Sequence, residues 1–238
     1  MMQRTAALAV ALALVAAPSF AQSSNVEEIV VTGARAIEWD PDDVPSVQLS
    51  RRADFLIVGV RVVNDTRDGA VRRREITETL SGMARSAARS SDIDLSLEDE
   101  GVLLPLTPDM VGTLTLGVDG SRSDTSVADL VVKTPIRSTD TLDAATERVE
   151  AFVKGNVLSG RSLVNVGGDW QLSVVDPSRY RSDILALIAA DARSAAAVFG
   201  ADYAVQVEGL SNRVTWRQSG PLELGLFIPY KMTVTPRP

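Results

Sequence analysis

The chain has 238 residues, 31 acidic against 24 basic side chains and a net charge of −7, and it contains neither histidine nor cysteine. That double absence removes disulfides, thiolate and imidazole catalysis and nearly all zinc constellations, leaving carboxylate or Ser/Lys chemistry and oxygen ligation of hard cations. The acidic balance argues against nucleic acid or an anionic lipid surface as partner.

Residues 1–21 read as a secretory leader. Arg4 precedes an Ala/Leu/Val run from Ala6 to Ala17, and Ser19-Phe20-Ala21 has the small-x-small pattern of a cleavage site. Cleavage after Ala21 removes Arg4 and takes the charge from −7 to −8 on the remaining 217 residues. No later run approaches the roughly 18 apolar residues that a membrane-spanning helix needs, so a soluble periplasmic protein is expected. An attachment to the outer membrane is the alternative address. The chain divides into the leader, an N-terminal strand and acidic loop over 22–54, and an α+β domain over 55–238.

Ile29-Val30-Val31 is a β-branched run closed by Gly33 and predicts a short strand. From Trp39 to Pro45 the chain is acidic and twice broken by proline, which predicts a loop or an edge. Asp40, Asp42 and Asp43 bring three carboxylates together there, but no EF-hand spacing accompanies them and a solvated loop is the reading. Glu98, Asp99 and Glu100 receive the same reading. Phe55 to Val63 is the strongest strand, ending at the turn signal Asn64-Asp65. Asn64-Asp65-Thr66 also matches a glycosylation acceptor pattern, although its turn role suffices.

Asp68-Gly69 is expected to cap a helix to about Ser90, with Ile76, Leu80, Met83 and Ala87 forming one apolar stripe and its arginines mainly on the solvated faces. Ile93 to Leu97 alternates as a strand should, and Val102 to Leu106 and Val127 to Lys133 are further strands. The Gly/Ser/Asp-rich stretch from Gly117 to Ser126 between them predicts a mobile loop. Asp140 or Thr141 caps a second helix to about Asn156, striped by Leu142, Ala145, Val149 and Phe152.

Ser162 to Val166 and Trp170 to Val175 read as a hairpin turned at Gly167-Gly168-Asp169, which lacks the Lys-Ser/Thr ending of a phosphate loop. The best-marked helix follows. Asp176 is its expected N-cap, Pro177 its first position, Tyr180, Ile184, Leu187, Ile188, Ala192 and Ala195 its buried stripe, and Gly200 its stop. Strands are expected at Tyr203 to Val207 and Arg213 to Arg217, with Leu222 to Val234 split in two around Pro229 or placed at a sheet edge. Three helices among many short strands with hairpin-like spacing predict an α+β fold of mostly antiparallel sheet. Trp39, Trp170 and Trp216 are expected as packing anchors.

Two stretches resemble known families. The helix Tyr180 to Gly200, with Ala189-Ala190-Asp191-Ala192-Arg193 leading to a glycine stop and a strand, resembles the long second helix of the SIMPL-domain family. Val31-Thr32-Gly33 with Pro41-Asp42, and the order of strand 55–63 and helix 68–90, resemble that family's opening. The resemblance implies an α+β envelope protein that assembles into rings or larger oligomers, and it carries no catalytic residue across. Separately, Glu28-Ile29-Val30-Val31-Thr32-Gly33 resembles the TonB box of outer-membrane receptors, which implies strand addition to TonB as a partner. A receptor barrel cannot be built from 217 residues.

The functional expectation is a non-enzymatic periplasmic protein acting by self-assembly or partner binding, with no catalytic residue, cofactor or metal. A TonB-linked accessory is one alternative, with Glu28 to Gly33 as the partner strand. The other is a carboxylate- or Ser/Lys-dependent hydrolase. No Ser-x-x-Lys spacing precedes Lys133, Lys154 or Lys231 to anchor it.

Overall fold

The computed structural model describes residues 28–31, 46–99, 102–120 and 122–237. The leader, Thr32, Gly33, the aspartates at 40, 42 and 43, Trp39 and Glu100 lie outside them. In chain order the elements are β1 (Glu28–Val31), β2 (Leu49–Arg52), β3 (Phe55–Asn64), α1 (Gly69–Ala88), β4 (Asp94–Asp99), β5 (Val102–Pro105), β6 (Gly117–Asp119) and β7 (Arg122–Pro135). There follow α2 (Leu142–Gly155), β8 (Ser162–Val175), α3 (Arg181–Phe199), β9 (Tyr203–Glu208), β10 (Thr215–Gln218), β11 (Glu223–Phe227) and β12 (Lys231–Pro236).

A sheet ordered β1-β8-β3-β7-β4-β5, with β6 also on β7, forms the centre, and each of its pairings is antiparallel. The order β10-β11-β2 makes a second sheet and β12-β9 a two-stranded ribbon. The fold is therefore α+β, as the spacing of elements predicts.

β3 lies in the middle because its alternating apolar residues serve both neighbours. Val58, Val60 and Val62 are buried on one face, in line with Ala128, Leu130 and Val132 of β7. α1 covers that face with Ile76, Leu80, Met83 and Ala87, the expected stripe, and α2 adds Val149 and Val153. Asp68 caps α1 by accepting hydrogen bonds from the amides of Ala70 and Val71, both at 2.9 Å. For α2 the cap is Thr141, whose hydroxyl accepts from Ala144 N at 3.1 Å. Asp140 instead binds Arg148 at 2.7 Å, and Arg148 also donates to Thr134 Oγ1 and to the Pro135 carbonyl.

A second core lies at the other end of the same face. Leu56, Leu172 and Val174 meet Ile184 and Ile188 of α3 and Leu224, Leu226 and Ile228 from β11 and just beyond it. Half-buried Trp170 packs against both cores, and half-buried Trp216 against the second. Pro229 does divide the C-terminal apolar run, and the two strands go to different sheets, β11 to β2 and β10, β12 to β9. Residues 49–52, outside every strand expected from the sequence, form β2 because β11 presents it with an edge to pair.

Four local expectations are corrected. The stretch Gly117 to Ser126 is a hairpin rather than a mobile loop: β6 turns through Gly120, at φ 58°, into a β7 that already starts at Arg122. Ser162 to Val175 is one strand and not a hairpin, because both halves pair with β3. Ile57 lies opposite Gln171 and Gly59 opposite Gly167, so residues 168–170 face Val58 alone. The bulge adds two residues to β8 and so preserves which face each half presents, while a glycine at 59 accommodates the Gly167 carbonyl. Asp176 does not cap a helix. It sits at φ 46° and accepts from the Ser178 hydroxyl, and Pro177 to Tyr180 form a 3₁₀ turn before α3 begins at Arg181. Within α3 only Ile184 and Ile188 are buried, and Leu187, expected on the stripe, is 39% exposed.

Candidate functional site

The densest polar cluster joins four elements at one end of the central sheet. β3 ends on Asn64, which is fully buried. Its Nδ2 donates to Glu75 Oε2 and Ser162 Oγ, both at 3.0 Å, and its Oδ1 accepts from Thr66 N at 2.9 Å. Glu75, on α1, also accepts from Thr66 Oγ1 at 2.6 Å and from Arg161 N at 3.2 Å. Arg161 grips Asp65 with two hydrogen bonds of 2.7 and 3.1 Å, and Arg72 reaches Ser126 Oγ on β7 and the Thr66 carbonyl.

The loop before β8 is fastened onto α1 by the same cluster. Ser159 donates from its amide to Thr79 Oγ1 and from its hydroxyl to Glu78. Between these anchors Gly160 has φ 55°, and a Cβ there would lie 1.9 Å from the Glu75 carboxyl carbon, so only glycine fits. Glu75 is ionised below its ordinary 4.5 because Thr66, then Asn64 and Arg161 N, donate to it, and Asp65 is held below 3.8 chiefly by Arg161. A carboxylate stabilised in this way is a weak base, which suits a clamp better than proton abstraction.

The clamp has a pH signature. A carboxyl with a lowered folded value stabilises the fold above its unfolded value, and that contribution is lost as pH falls through the folded one. Stability should thus be level near neutrality and fall in acid below the ordinary 4.5 of Glu75. Glu75→Gln should melt lower at about pH 7, with the gap to wild type narrowing as pH drops to about 3. Thermal melts across that range check it, and a gap independent of pH would show that the charge of Glu75 plays no part.

The residues singled out in the sequence are dispersed. Burial of Asn64 leaves its amide inaccessible to a glycan in the folded chain. Glu98 and Asp99 are exposed on β4, and Gly167, Gly168 and Asp169 belong to the β8 bulge. Lys133 pairs with Asp94 and lies 4.2 Å from the Phe55 ring centroid, and Lys154 pairs with Glu150. Among the described residues no three Asp or Glu side chains gather as they would around a metal ion, and no helix is long and apolar enough to cross a membrane. Glu28 to Val31 pair with Val175 to Leu172 of β8, so this segment is a sheet edge with one side already occupied. Thr32 and Gly33 of the proposed partner strand lie outside the described residues.

Among the described residues, the outward arc of α3 is exposed along its whole length and holds a single loose ion pair, Asp183 to Arg51. Ser182, Asp183, Ala186, Leu187, Ala189, Ala190, Arg193, Ser194, Ala197 and Val198 are all exposed, and only Asp183 and Arg193 among them are charged. A solvated helix face ordinarily carries far more charge. Below it the packing is thin: from Ala189 to Glu208, and again from Pro229 to Arg237, no residue is buried. The ribbon does alternate correctly. Val205, Val207, Met232 and Val234 lie on one face, opposite the polar row of Gln206, Glu208, Lys231 and Thr233, yet all four remain half-exposed. Phe199 and Tyr203, with ring centroids 6.1 Å apart, are also exposed. Reading α3 as a single-striped helix hid this arc, although its three-and-four spacing is present in the sequence.

In comparisons with known proteins, no family model matches this chain, nor does any curated protein or solved structure.

Proposed function

We propose that this chain is a non-enzymatic protein of the bacterial periplasm that acts by self-assembly. The observation carrying this reading is the C-terminal layer of α3, β9 and β12, in which only Ile184 and Ile188 are buried and whose outer helix face is nearly uncharged. An apolar layer this open is ordinarily completed by a second surface. The leader-like residues 1–21 support the address. The lack of His and Cys, with the best-placed carboxylate held as a weak base, supports a role without catalysis. The resemblance of residues 180–200 to SIMPL-domain proteins points the same way.

TonB contact is the alternative, and with β1 paired to β8 it would use the outer edge of that strand. Light scattering on the chain from Gln22 tests the main reading. A mass that is a multiple of the protomer is expected at about 50 μM, and a monomer throughout that range would overturn it.

A further inference from the structure

The outward arc of α3 is self-complementary. Asp183, Ala186, Ala190, Arg193 and Ala197 follow one another at offsets of three, four, three and four, the seven-residue repeat of a coiled-coil seam, and all five are exposed. When two such helices run antiparallel about a two-fold axis level with residue 188, the positions that face each other have numbers summing to the same value. Ala186 then meets Ala190 of the second copy, Ala190 meets Ala186, and each Asp183 meets an Arg193. This reciprocity is what a two-fold interface requires, because the same patch must serve both sides.

We infer that α3 is the dimerisation element of this protein, packing antiparallel against α3 of a second copy with two Ala186–Ala190 layers at the centre and two Asp183–Arg193 ion pairs flanking them. The inference rests on the self-assembly reading and specifies its surface. Alanine at the central positions lets the helix axes approach to about 8 Å, the short end of the usual range. Leu187, on the flank of the seam, gains cover from the approach. The ion pairs set direction: a parallel arrangement would place Asp183 beside Asp183 and Arg193 beside Arg193, so like charges exclude it. In the single copy Asp183 has a loose contact with Arg51, at 3.7 Å and with both side chains about half exposed, which leaves it free to exchange partners.

Sedimentation equilibrium on the full mature chain, together with four variants, tests this. Wild type is expected to dimerise, and Ala190→Glu, which sets two carboxylates in the central layers, should weaken the dimer by about 100-fold or more. Asp183→Arg and Arg193→Asp should each weaken it by about tenfold, and the double exchange should restore it to within a few-fold of wild type. Circular dichroism of each variant at high dilution should match wild type, since all three positions are exposed. A wild-type dimer that Ala190→Glu and the charge exchanges leave unchanged would overturn the seam while leaving self-assembly standing. A wild-type chain that stays monomeric up to about 100 μM would overturn self-assembly and the seam together.

Discussion

Ile184→Ala is expected to cost about 2–5 kcal/mol, whereas Leu187→Ala, three residues along the same helix, is expected to cost under about 1 kcal/mol when measured on dilute, monomeric protein. Ile184 has no exposed surface and packs in the second core with Leu56, Val174 and Leu226, residues from three separate strands. Removing its three outer carbons forfeits transfer energy and leaves a cavity that three strands and a helix cannot all move to fill. Leu187 is 39% exposed and sits about 60° round α3 from Ile184, on the flank turned toward solvent, so truncation there loses little contact within one copy. Urea midpoints of the two variants at high dilution decide it. Equal midpoints would mean that α3 presents a different face to the core.

Asn64→Asp should be the most damaging single-atom exchange in the chain, at about 3–5 kcal/mol near neutral pH. The substitution keeps the shape and replaces the Nδ2 donor by an oxygen. The hydrogen bond to Glu75 is lost, Ser162 must turn its hydroxyl from acceptor to donor, and a second carboxylate then faces Glu75 at about the present 3.0 Å, with no exposed surface at residue 64 through which water could screen it. Like charges so placed share a proton, so the folded variant holds a carboxyl whose value is raised. That raised value works against the wild-type trend: its cost is greatest above the folded value and shrinks as pH falls through it, where a proton bridges the pair. The control is Asn165→Asp, the same exchange at an exposed position of β8 directly across from Arg61, which should stay within about 0.5 kcal/mol. Chemical denaturation at two pH values separates the outcomes. A deficit that is equal at both would show that Glu75 does not share the proton.

Much of the secondary structure was legible because it rests on short-range periodicity. The stripe of Ile76, Leu80, Met83 and Ala87 needed only the helical repeat, and its burial under β3 followed from there being no other apolar face on α1. The break at Pro229 was equally readable, since a proline without an amide cannot sit inside a ladder. One misreading originates in long-range pairing. Gly167-Gly168-Asp169 has the composition of a turn, and nothing local distinguishes a turn from a bulge when both flanking runs pair with the same distant strand. Gly117 to Ser126 looked mobile for a different reason: β3 pairs with β7 only back to Ser126, and the extension to Arg122 is held by β6, a three-residue Gly-Val-Asp strand too short and polar to show a strand pattern.

What the sequence determined by itself is therefore the chemistry excluded and the elements proposed: no imidazole or thiol anywhere, an α+β alternation, the α1 stripe, and the stop of α3 at Gly200. These depend on residue identity and on spacings of two to four positions. Only the tertiary structure decided that Asn64, Glu75 and Ser162, separated by as many as 98 positions, close into one clamp, and that α3 turns Ile184 inward and Leu187 outward. An alanine-rich helix carries apolar side chains all round, so its own sequence ranks no face above another. The choice is made by where the second core offers room for a large side chain, and the face left over is the one available to a second copy.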